Sequence, residues 1–352
     1  MRAERGGKRG RALSSPHTKT RRGPREQVTL EFPDNVALAS LAGAHQQNLV
    51  RIEQRLGVRV AMRGNLVSVE GAAADRARAA QVLRALYARI EAGENAGPSE
   101  VDAEIRFAAH EPVQASADFG IPQIKTASGR LTRARSPAQA AYLDFMRTHP
   151  LVFGIGPAGT GKTYLAAAFG AHLLYERKVE RLVLSRPALE AGERLGFLPG
   201  TLEEKIDPYL RPLTDALFEV LGEQAQKLME SGIIEVAPLA FMRGRTLARA
   251  FVILDEAQNV SPAQMKMFLT RLGEDARMVV TGDPSQSDLP SGRAEGMNEA
   301  LSLLTGVEGV AVARFGEKDV VRHALVTRIV RAYNDAAKEK EAAARGLPRS
   351  EE

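Results

Sequence analysis

Residues 156–163, GPAGTGKT, combine three glycines with a lysine and a hydroxyl side chain at fixed spacing. They match the pattern G-x-x-x-x-G-K-[ST], in which glycines let backbone amides turn toward phosphate oxygens and a following helix adds its dipole. Lys162 would supply positive charge, and the Thr163 hydroxyl would hold Mg²⁺. The pattern predicts a nucleoside triphosphate site formed by Gly156, Pro157, Ala158, Gly159, Thr160, Gly161, Lys162 and Thr163.

The flanking sequence supports this interpretation. Apolar residues 151–155 precede the loop as a strand would, and the apolar run 164–175 follows it as a helix would. Strand, loop and helix in this order are the context that a phosphate loop requires. The alternative is an accidental glycine-rich turn between a strand and a helix.

A pair of carboxylates follows the apolar stretch 251–254. Asp255 would hold Mg²⁺, usually through a water, and Glu256 is placed to activate a water for attack on the γ-phosphate. A small-molecule kinase does not need an activated water at that point, so the pair predicts hydrolysis. The alternative is an acidic turn after a buried strand.

Two glutamines are further candidates for contact with the nucleotide. Gln286 lies in TGDPSQ, where its amide would sense the γ-phosphate; the alternative is a polar turn built on Asp283 and Pro284. Gln139 lies 17 residues before Gly156, and an amide can donate and accept at adenine N6 and N7 together. The alternative for Gln139 is a surface position on an amphipathic helix.

Length and composition limit the class of protein. The chain has 352 residues, enough for two domains, and no cysteine, which excludes disulfides and thiolate metal sites. No apolar run approaches the roughly 18 residues of a membrane span, and the amino terminus lacks the apolar core of a secretory signal. These features predict a cytoplasmic protein without a membrane partner.

Positive charge is concentrated at the amino terminus. Residues 1–25 hold nine Lys or Arg and one Glu, a net of +8, whereas the whole chain carries +5, which leaves −3 for the remainder. This composition predicts a disordered basic tail. Such a tail would either add salt-sensitive affinity for RNA or DNA or be a dispensable extension.

Hydrophobic periodicity divides the rest of the chain. Residues 27–92 predict the order βααββα, a small α+β domain, and residues 93–135 predict a linker with one helical piece and a hairpin. Residues 136–335 alternate strands with helices, which predicts an α/β fold with a mainly parallel sheet and its active edge at the strands' carboxyl ends. Residues 336–352 would be a charged helix end or tail. The predicted strands of the sheet are LVFGI, RLVLS, IIEVA, FVILD, RMVVTGD and VAVARF.

Several of these motifs carry a resemblance to known families. GPAGTGKT, VILDEAQN and TGDPSQ, with Gln139 ahead of them, resemble the first RecA-like P-loop NTPase domain of superfamily one helicases. SRPALEAGERLGFLPGTLEEKIDPYLRPL, FMRGRTL and FGEKDVVRHALVTRIVRAY resemble the PhoH family of ATPases, and a KH-like domain ahead of that core resembles its YbeZ-like subfamily. The resemblance covers residues 27–335. It implies ATP and Mg²⁺ as cofactors, ATP hydrolysis, a role in RNA metabolism and association with an endoribonuclease of the YbeY type.

The KH-like resemblance rests on residues 43–60. In KH domains a GxxG loop between two helices clamps four nucleotides of single-stranded backbone. Here the loop reads GAHQ, so Gln46 replaces the second glycine, and Val50 stands at the usual basic position, with Arg51 one place later. Two interpretations stay open: an altered RNA contact, or a scaffold that docks protein.

Superfamily one helicases complete the ATP site with an arginine from a second RecA-like domain. Downstream of Phe315 the sequence predicts one long helix and no second sheet. The arginine would therefore come from a neighbouring protomer of a homo-oligomer, for example a closed ring. Arg314 and Arg322 are the candidates. Arg243 and Arg245 are weaker ones that could line a nucleic-acid path, and each arginine could instead be an ordinary salt-bridge residue.

Loop-rich residues 186–212 would touch a sugar–phosphate backbone or pack against a neighbouring protomer, and their few aromatics argue against sequence-specific readout.

The leading hypothesis is ATP hydrolysis coupled to remodelling of single-stranded or structured RNA, in rRNA maturation or RNA decay. One alternative is a module whose ATP occupancy switches the docking of a ribonuclease or ribosomal partner. A phosphotransferase is the other alternative.

Overall fold

The computed structural model describes residues 27–109, 123–125, 131–187, 202–286 and 296–320, with residues 326 and 329. Within these ranges the chain forms two units that divide between Val101 and Asp102. Several predictions lie outside the described residues: the basic tail 1–25, the turn of the hairpin, most of the loop 186–212, Arg322 and the end 336–352.

The first unit has the predicted order βααββα. Its antiparallel sheet has the strand order β1-β3-β2, so β3 is central and pairs with both neighbours. Asp34 begins the first helix, because its side chain accepts the backbone N–H groups of Val36 and Ala37. The elements are β1 (Gln27–Glu31), α1 (Asn35–Ala42), α2 (Gln47–Leu56), β2 (Arg59–Arg63), β3 (Leu66–Glu70) and α3 (Ala73–Glu91), followed by α4 (Pro98–Ala109), which contains the division between the units.

The loop between α1 and α2 has an unusual backbone. His45 and Gln46 both adopt left-handed conformations, with φ of 50° and 59°, and both side chains are exposed. Asn48 fixes the base of this loop, since its buried Nδ2 donates to the carbonyl oxygens of Leu41 and Ala96 at 2.8 and 2.7 Å. The loop thus presents its own side chains outward from a rigid base.

The second unit is an α/β domain preceded by the predicted hairpin, whose strands pair antiparallel. Its strands and helices alternate over most of the length, as the periodicity predicted. The elements are β4 (Gln123–Lys125), β5 (Leu131–Arg133), α5 (Pro137–Thr148), β6 (Leu151–Ile155), α6 (Lys162–Tyr175), β7 (Arg181–Arg186), α7 (Leu202–Leu221), α8 (Gln224–Glu230), β8 (Ile234–Pro238), β9 (Ala250–Leu254), α9 (Pro262–Leu269), β10 (Arg277–Gly282), α10 (Gly296–Leu304) and β11 (Val310–Arg314).

All six predicted strands join one parallel sheet, which confirms the predicted fold class. The order is β11-β6-β10-β9-β7-β8, and every pairing is parallel. Helices α5, α6 and α7 pack on one face, and α9 and α10 on the other. Because both faces are covered, β6 and β9 are buried at every position and read as continuous apolar runs. In the described part of the chain, none of the helices is both long enough and apolar enough to cross a bilayer.

Candidate nucleotide-binding site

The loop after β6 turns around glycines that no other residue could replace without strain. Gly156, Gly159 and Gly161 have φ of 140°, 81° and 83°. A Cβ on Gly156 would lie 2.3 Å from the carbonyl oxygen of Phe315, at the end of the neighbouring strand β11. Gly161 is the residue that caps the start of α6. The loop therefore leaves the sheet at its carboxyl edge and leads directly into a helix amino end, as anion binding requires.

Lys162 lies over this loop and is largely buried. Its Nζ donates to the carbonyl oxygens of Gly156 and Pro157 at 2.6 and 2.9 Å, and to the hydroxyl of Thr160 at 3.4 Å. These acceptors hold the ammonium at the mouth of the loop. A bound phosphate would compete with them for the same three donors.

Thr163 and Asp255 are brought together from positions 92 residues apart. The Thr163 hydroxyl donates to Asp255 Oδ1 at 2.7 Å, and the hydroxyl of Thr281, on the neighbouring strand β10, donates to the same oxygen at 2.6 Å. Asp255 itself is 6% exposed. A hydroxyl and a buried carboxylate side by side form the oxygen set that Mg²⁺ prefers.

Glu256 has a left-handed backbone, with φ 52° and ψ 40°. Its Oε1 lies 3.2 Å from Nη2 of Arg186, the last residue of β7, and its Oε2 accepts a short hydrogen bond from Nε2 of Gln258. The other end of that amide, Gln258 Oε1, accepts the backbone N–H of Asp283 at 3.0 Å. The carboxylate is thus held by Arg186 from the end of β7 and by Gln258, which itself contacts the segment after β10.

The loop after β10 contributes Gln286 and a partly unsatisfied carboxylate. The backbone N–H of Gln286 donates to the carbonyl of Asp283 at 2.9 Å, which closes the turn, and its side chain is exposed. Asp283 Oδ1 accepts from the N–H and hydroxyl of Ser285, at 3.0 and 2.7 Å. Asp283 Oδ2 is buried without a hydrogen-bond partner among the described residues. An orphaned oxygen at this place suits a site completed by a ligand, ion or water.

These residues surround a single cleft of about 270 Å³. The backbone amides of the loop and the Lys162 ammonium suit a triphosphate, and the oxygen atoms of Thr163 and Asp255 suit Mg²⁺. No cluster of three or more His, Asp or Glu suited to a metal occurs among the described residues, so Thr163 and Asp255 would share the ion with phosphates and water. The lining residues are Ala158, Gly159, Gly161, Lys162, Thr163, Tyr164, Asp255, Glu256, Gln258, Gly282, Asp283 and Gln286.

Gln139 lies beneath the loop and not among the residues that line the cleft. It is 4% exposed. Its Oε1 accepts the N–H of Arg135 at 2.6 Å, and its Nε2 donates to the carbonyl of Thr160 at 2.9 Å. In this structure the amide supports the phosphate loop, and contact with adenine, which stays a prediction, would require both hydrogen bonds to be exchanged.

The candidate arginines differ in their surroundings. Arg314 is exposed, and its Cα pairs with that of Ile155 directly before the loop. Arg243 is also exposed. Arg245 makes a two-pronged ion pair with Glu235 at 2.5 and 2.7 Å; this hydrogen bond raises the pKa of Arg245 and holds the pKa of the Glu235 carboxyl below its usual range. For Arg245 the structure therefore shows the salt-bridge role.

Three residues at this site were not singled out for these contacts by the sequence. Gln258 is two positions after Glu256, and Thr281 is two before Asp283, so both lie inside the motifs. A polar side chain at or just after the end of a buried strand is the sequence feature that could have indicated a role for each of them. The sequence assigns Arg186 to a loop that would touch nucleic acid or pack against a neighbouring protomer, and nothing in its local sequence indicates an ion pair with a residue 70 positions away.

The comparison with known protein families agrees with the motifs. The family model described as PhoH-like protein matches residues 132–334. The chain belongs to the PhoH family. A PhoH-like protein of Mycobacterium tuberculosis (strain H37Rv) is 46% identical over 306 residues, 87% of each chain. A PhoH-like protein of Bacillus subtilis (strain 168) is 46% identical over 307 residues, 87% of this chain and 96% of its own.

The residues that the family model matches lie in the second unit, and a further relative matches a shorter part of the chain. Protein PhoH of Escherichia coli (strain K12) is 48% identical over 204 residues, 57% of this chain and 58% of its own. Among solved structures, the SWI2/SNF2 ATPase core of Sulfolobus solfataricus in complex with dsDNA aligns over 56% of this chain and 47% of its own, at 15% identity and a TM-score of 0.35. PhoH-family membership and the phosphate loop together make the chain a nucleotide-binding protein of the P-loop NTPase type.

Proposed function

We propose that the chain hydrolyses ATP with Mg²⁺ and couples hydrolysis to remodelling of RNA in the cytoplasm. One observation carries the hydrolytic part: Glu256 lines the same cleft as the phosphate loop and the Thr163–Asp255 pair. A carboxylate at that position can accept the proton of an attacking water. A transferase would instead need room for an acceptor beside the γ-phosphate.

Each residue of the cleft has a part in the proposed reaction. The loop amides and the Lys162 ammonium would bind the phosphates, while Thr163 and Asp255 would hold Mg²⁺, which neutralises charge on the phosphate oxygens when bound. Glu256 would orient the water and take its proton. Gln286, on the exposed rim of the cleft, would hydrogen-bond to the γ-phosphate or the water.

A surface at the carboxyl edge of the sheet supports the RNA part. The turn that follows β8 exposes Phe241, at 51%, and Arg243, while Leu239 and Met242 beside them are buried and anchor the turn. An exposed aromatic ring two residues before an exposed arginine suits stacking of a base and contact with a phosphate, without reading the base sequence. The turn is also tied to its own strand by the Arg245–Glu235 pair.

A second candidate is a module whose ATP occupancy switches docking of a ribonuclease, of the YbeY type, or of a ribosomal partner. Val36 on α1 and Val50 on α2 favour it, since they are 76% and 43% exposed. Val50 occupies the position at which KH domains usually carry a basic residue. Exposed apolar side chains there suit a protein partner better than an RNA phosphate.

The deciding measurement is phosphate release with and without single-stranded RNA, comparing wild type with Glu256→Gln. We expect wild type to be stimulated by RNA, and the variant to lose about 10²- to 10⁴-fold in kcat while still binding ATP. Glu308→Gln, an exposed glutamate in a turn, is the matched control and should leave the rate unchanged. A Glu256→Gln enzyme with full turnover would refute the assignment. ATP-dependent capture of a ribonuclease that survives Glu256→Gln, without RNA stimulation of wild type, would favour the second candidate.

A further inference from the structure

Three strand ends are connected through the carboxylate of Glu256. Arg186, at the end of β7, approaches Oε1 at 3.2 Å. Gln258 donates to Oε2 and accepts the N–H of Asp283, which follows β10. Each carboxylate oxygen therefore has a protein partner: Arg186 from the end of β7, and Gln258, which follows β9 and is in turn bonded to the segment after β10.

The surroundings of Glu256 enforce this arrangement. A left-handed backbone costs a non-glycine residue about 1 kcal/mol or more and persists where neighbouring contacts determine it. Gln258 is 4% exposed, and the Arg186 side chain is 21% exposed, so neither partner is a loosely placed surface group. The carboxylate is held in one orientation by groups that are themselves packed.

The held carboxylate is poorly suited to take a proton. A general base must present an oxygen to the attacking water, and the guanidinium of Arg186 occupies Oε1 with a charge-assisted contact. We propose that Arg186 and Gln258 are positioning residues that restrain Glu256, and that opening of the Arg186–Glu256 ion pair limits hydrolysis. This proposal rests on the proposed function, in which Glu256 activates the water.

Arg186 also lies next to the surface to which RNA is proposed to bind. Its Cα pairs with that of Pro238, from which the turn carrying Phe241 and Arg243 begins. A phosphate held near Arg243 would compete for the Arg186 guanidinium, because phosphate and carboxylate accept the same fork of N–H donors. RNA binding would then release Glu256, so RNA occupancy and hydrolysis would rise together.

The test is phosphate release by full-length Arg186→Ala with and without poly(U) RNA. We expect the basal kcat to rise about three- to tenfold with little change in KM for ATP, and the ratio of RNA-stimulated to basal rate to fall to about one. Arg186→Lys keeps the charge without the planar fork, and should give values between those of Arg186→Ala and wild type. Arg181→Ala, at the other end of the same strand, is the control and should match wild type.

The possible results distinguish a failure of the restraint by Arg186 from a failure of the proposed RNA-linked ATPase function. A lower basal kcat with an unchanged stimulation ratio in Arg186→Ala and Arg186→Lys would overturn the restraint, because Arg186 would then only orient a working base. Wild type without RNA stimulation would overturn the RNA-linked function. In that case the basal rate of Arg186→Ala still decides whether the ion pair restrains Glu256.

Discussion

Tyr142 is a buried residue whose polar atom lacks a partner. Its ring is fully buried, packs edge-on against Phe315 at a centroid distance of 5.4 Å, and fills the space beside Gly154, where a Cβ would lie 2.9 Å from it. The hydroxyl finds no hydrogen bond within the described ranges. Burial, and after it the charge of Asp255, raises the pKa of Tyr142 well above its usual value, so the phenol stays neutral.

Tyr142→Phe should therefore raise the free energy of unfolding, by about 1 kcal/mol, since it removes a buried hydroxyl that makes no hydrogen bond. Tyr87→Phe is the matched control: Tyr87 OH accepts the N–H of Asp34 at 2.9 Å, so its loss should destabilise by about 1 kcal/mol. Urea unfolding of the full chain measures both. Destabilisation of similar size in the two variants would mean that the Tyr142 hydroxyl has a partner in solution.

At the scale of single residues, short sequence motifs predict part of the candidate nucleotide site. Lys162, Thr163 and Asp255 follow from short patterns whose chemistry demands those residue types. The partners of Glu256 do not, since Arg186 reaches it only through the pairing of β7 with β9. Burial of Gln139 under the phosphate loop, with both ends of its amide bonded to the backbone, is likewise not visible in the sequence, and its contact with adenine stays a prediction.

At the scale of elements, the loop between α1 and α2 has a left-handed backbone, which glycine adopts most easily, at a position that is not glycine. Gln46, at the second glycine position of the KH pattern, has φ 59°, so the chain follows the left-handed path with a side chain attached. That side chain is exposed on the surface where KH domains clamp nucleic acid. The loop therefore keeps the backbone conformation of the second glycine, but the Gln46 side chain occupies the space that a glycine would leave open.

Gln46→Gly should relieve the strained backbone, stabilising the protein by about 0.5 kcal/mol, and should tighten single-stranded RNA binding by about threefold. Gln47→Gly is the control, because Gln47 has the helical φ of −56° and glycine there should cost about 1 kcal/mol without improving RNA affinity. Unfolding and fluorescence anisotropy with labelled RNA measure the two effects. Unchanged RNA affinity in Gln46→Gly would favour a protein partner for this unit.

Elements were easier to predict than their arrangement. All six strands of the sheet and the βααββα order of the first unit follow from hydrophobic periodicity, which depends on near neighbours in sequence. The strand order β11-β6-β10-β9-β7-β8 does not, because pairing depends on contacts between residues far apart in the sequence, such as Leu151 and Met278, which are 127 positions apart. For the same reason, the sequence does not show that Arg186 lies near the turn that carries Phe241, which follows from the pairing of β7 with β8.

At the scale of the whole molecule, the described residues that line the cleft include no arginine. Arg314 is exposed at the strand end beside the phosphate loop. We propose that it reaches the γ-phosphate of a neighbouring protomer in a homo-oligomer, with a ring as one arrangement. Arg322, outside the described residues, is the other candidate.

Arg314→Ala should lower kcat by about 10³-fold, the usual contribution of such an arginine, and mixing it with inactive Lys162→Ala should restore part of the activity. Mixed oligomers contain sites with an intact loop from one protomer and an intact arginine from the other. Wild-type specific activity should also rise with protein concentration. Arg177→Ala, exposed after α6, is the control. Flat specific activity and no recovery on mixing would exclude Arg314, and the same pair of measurements applies to Arg322.

The position of β6 in the sheet determines when the nucleotide site can form during synthesis. Both neighbours of β6 come late: β10 begins about 120 residues after β6 ends, and β11 begins later still. At about 5–20 residues per second, the ribosome needs roughly 6 to 24 seconds to supply β10. The first unit has all three of its strands by Glu70, whereas β6 must wait with its apolar side chains unpaired. The nascent chain is therefore most exposed to aggregation while the strand that leads to Lys162 has no neighbour.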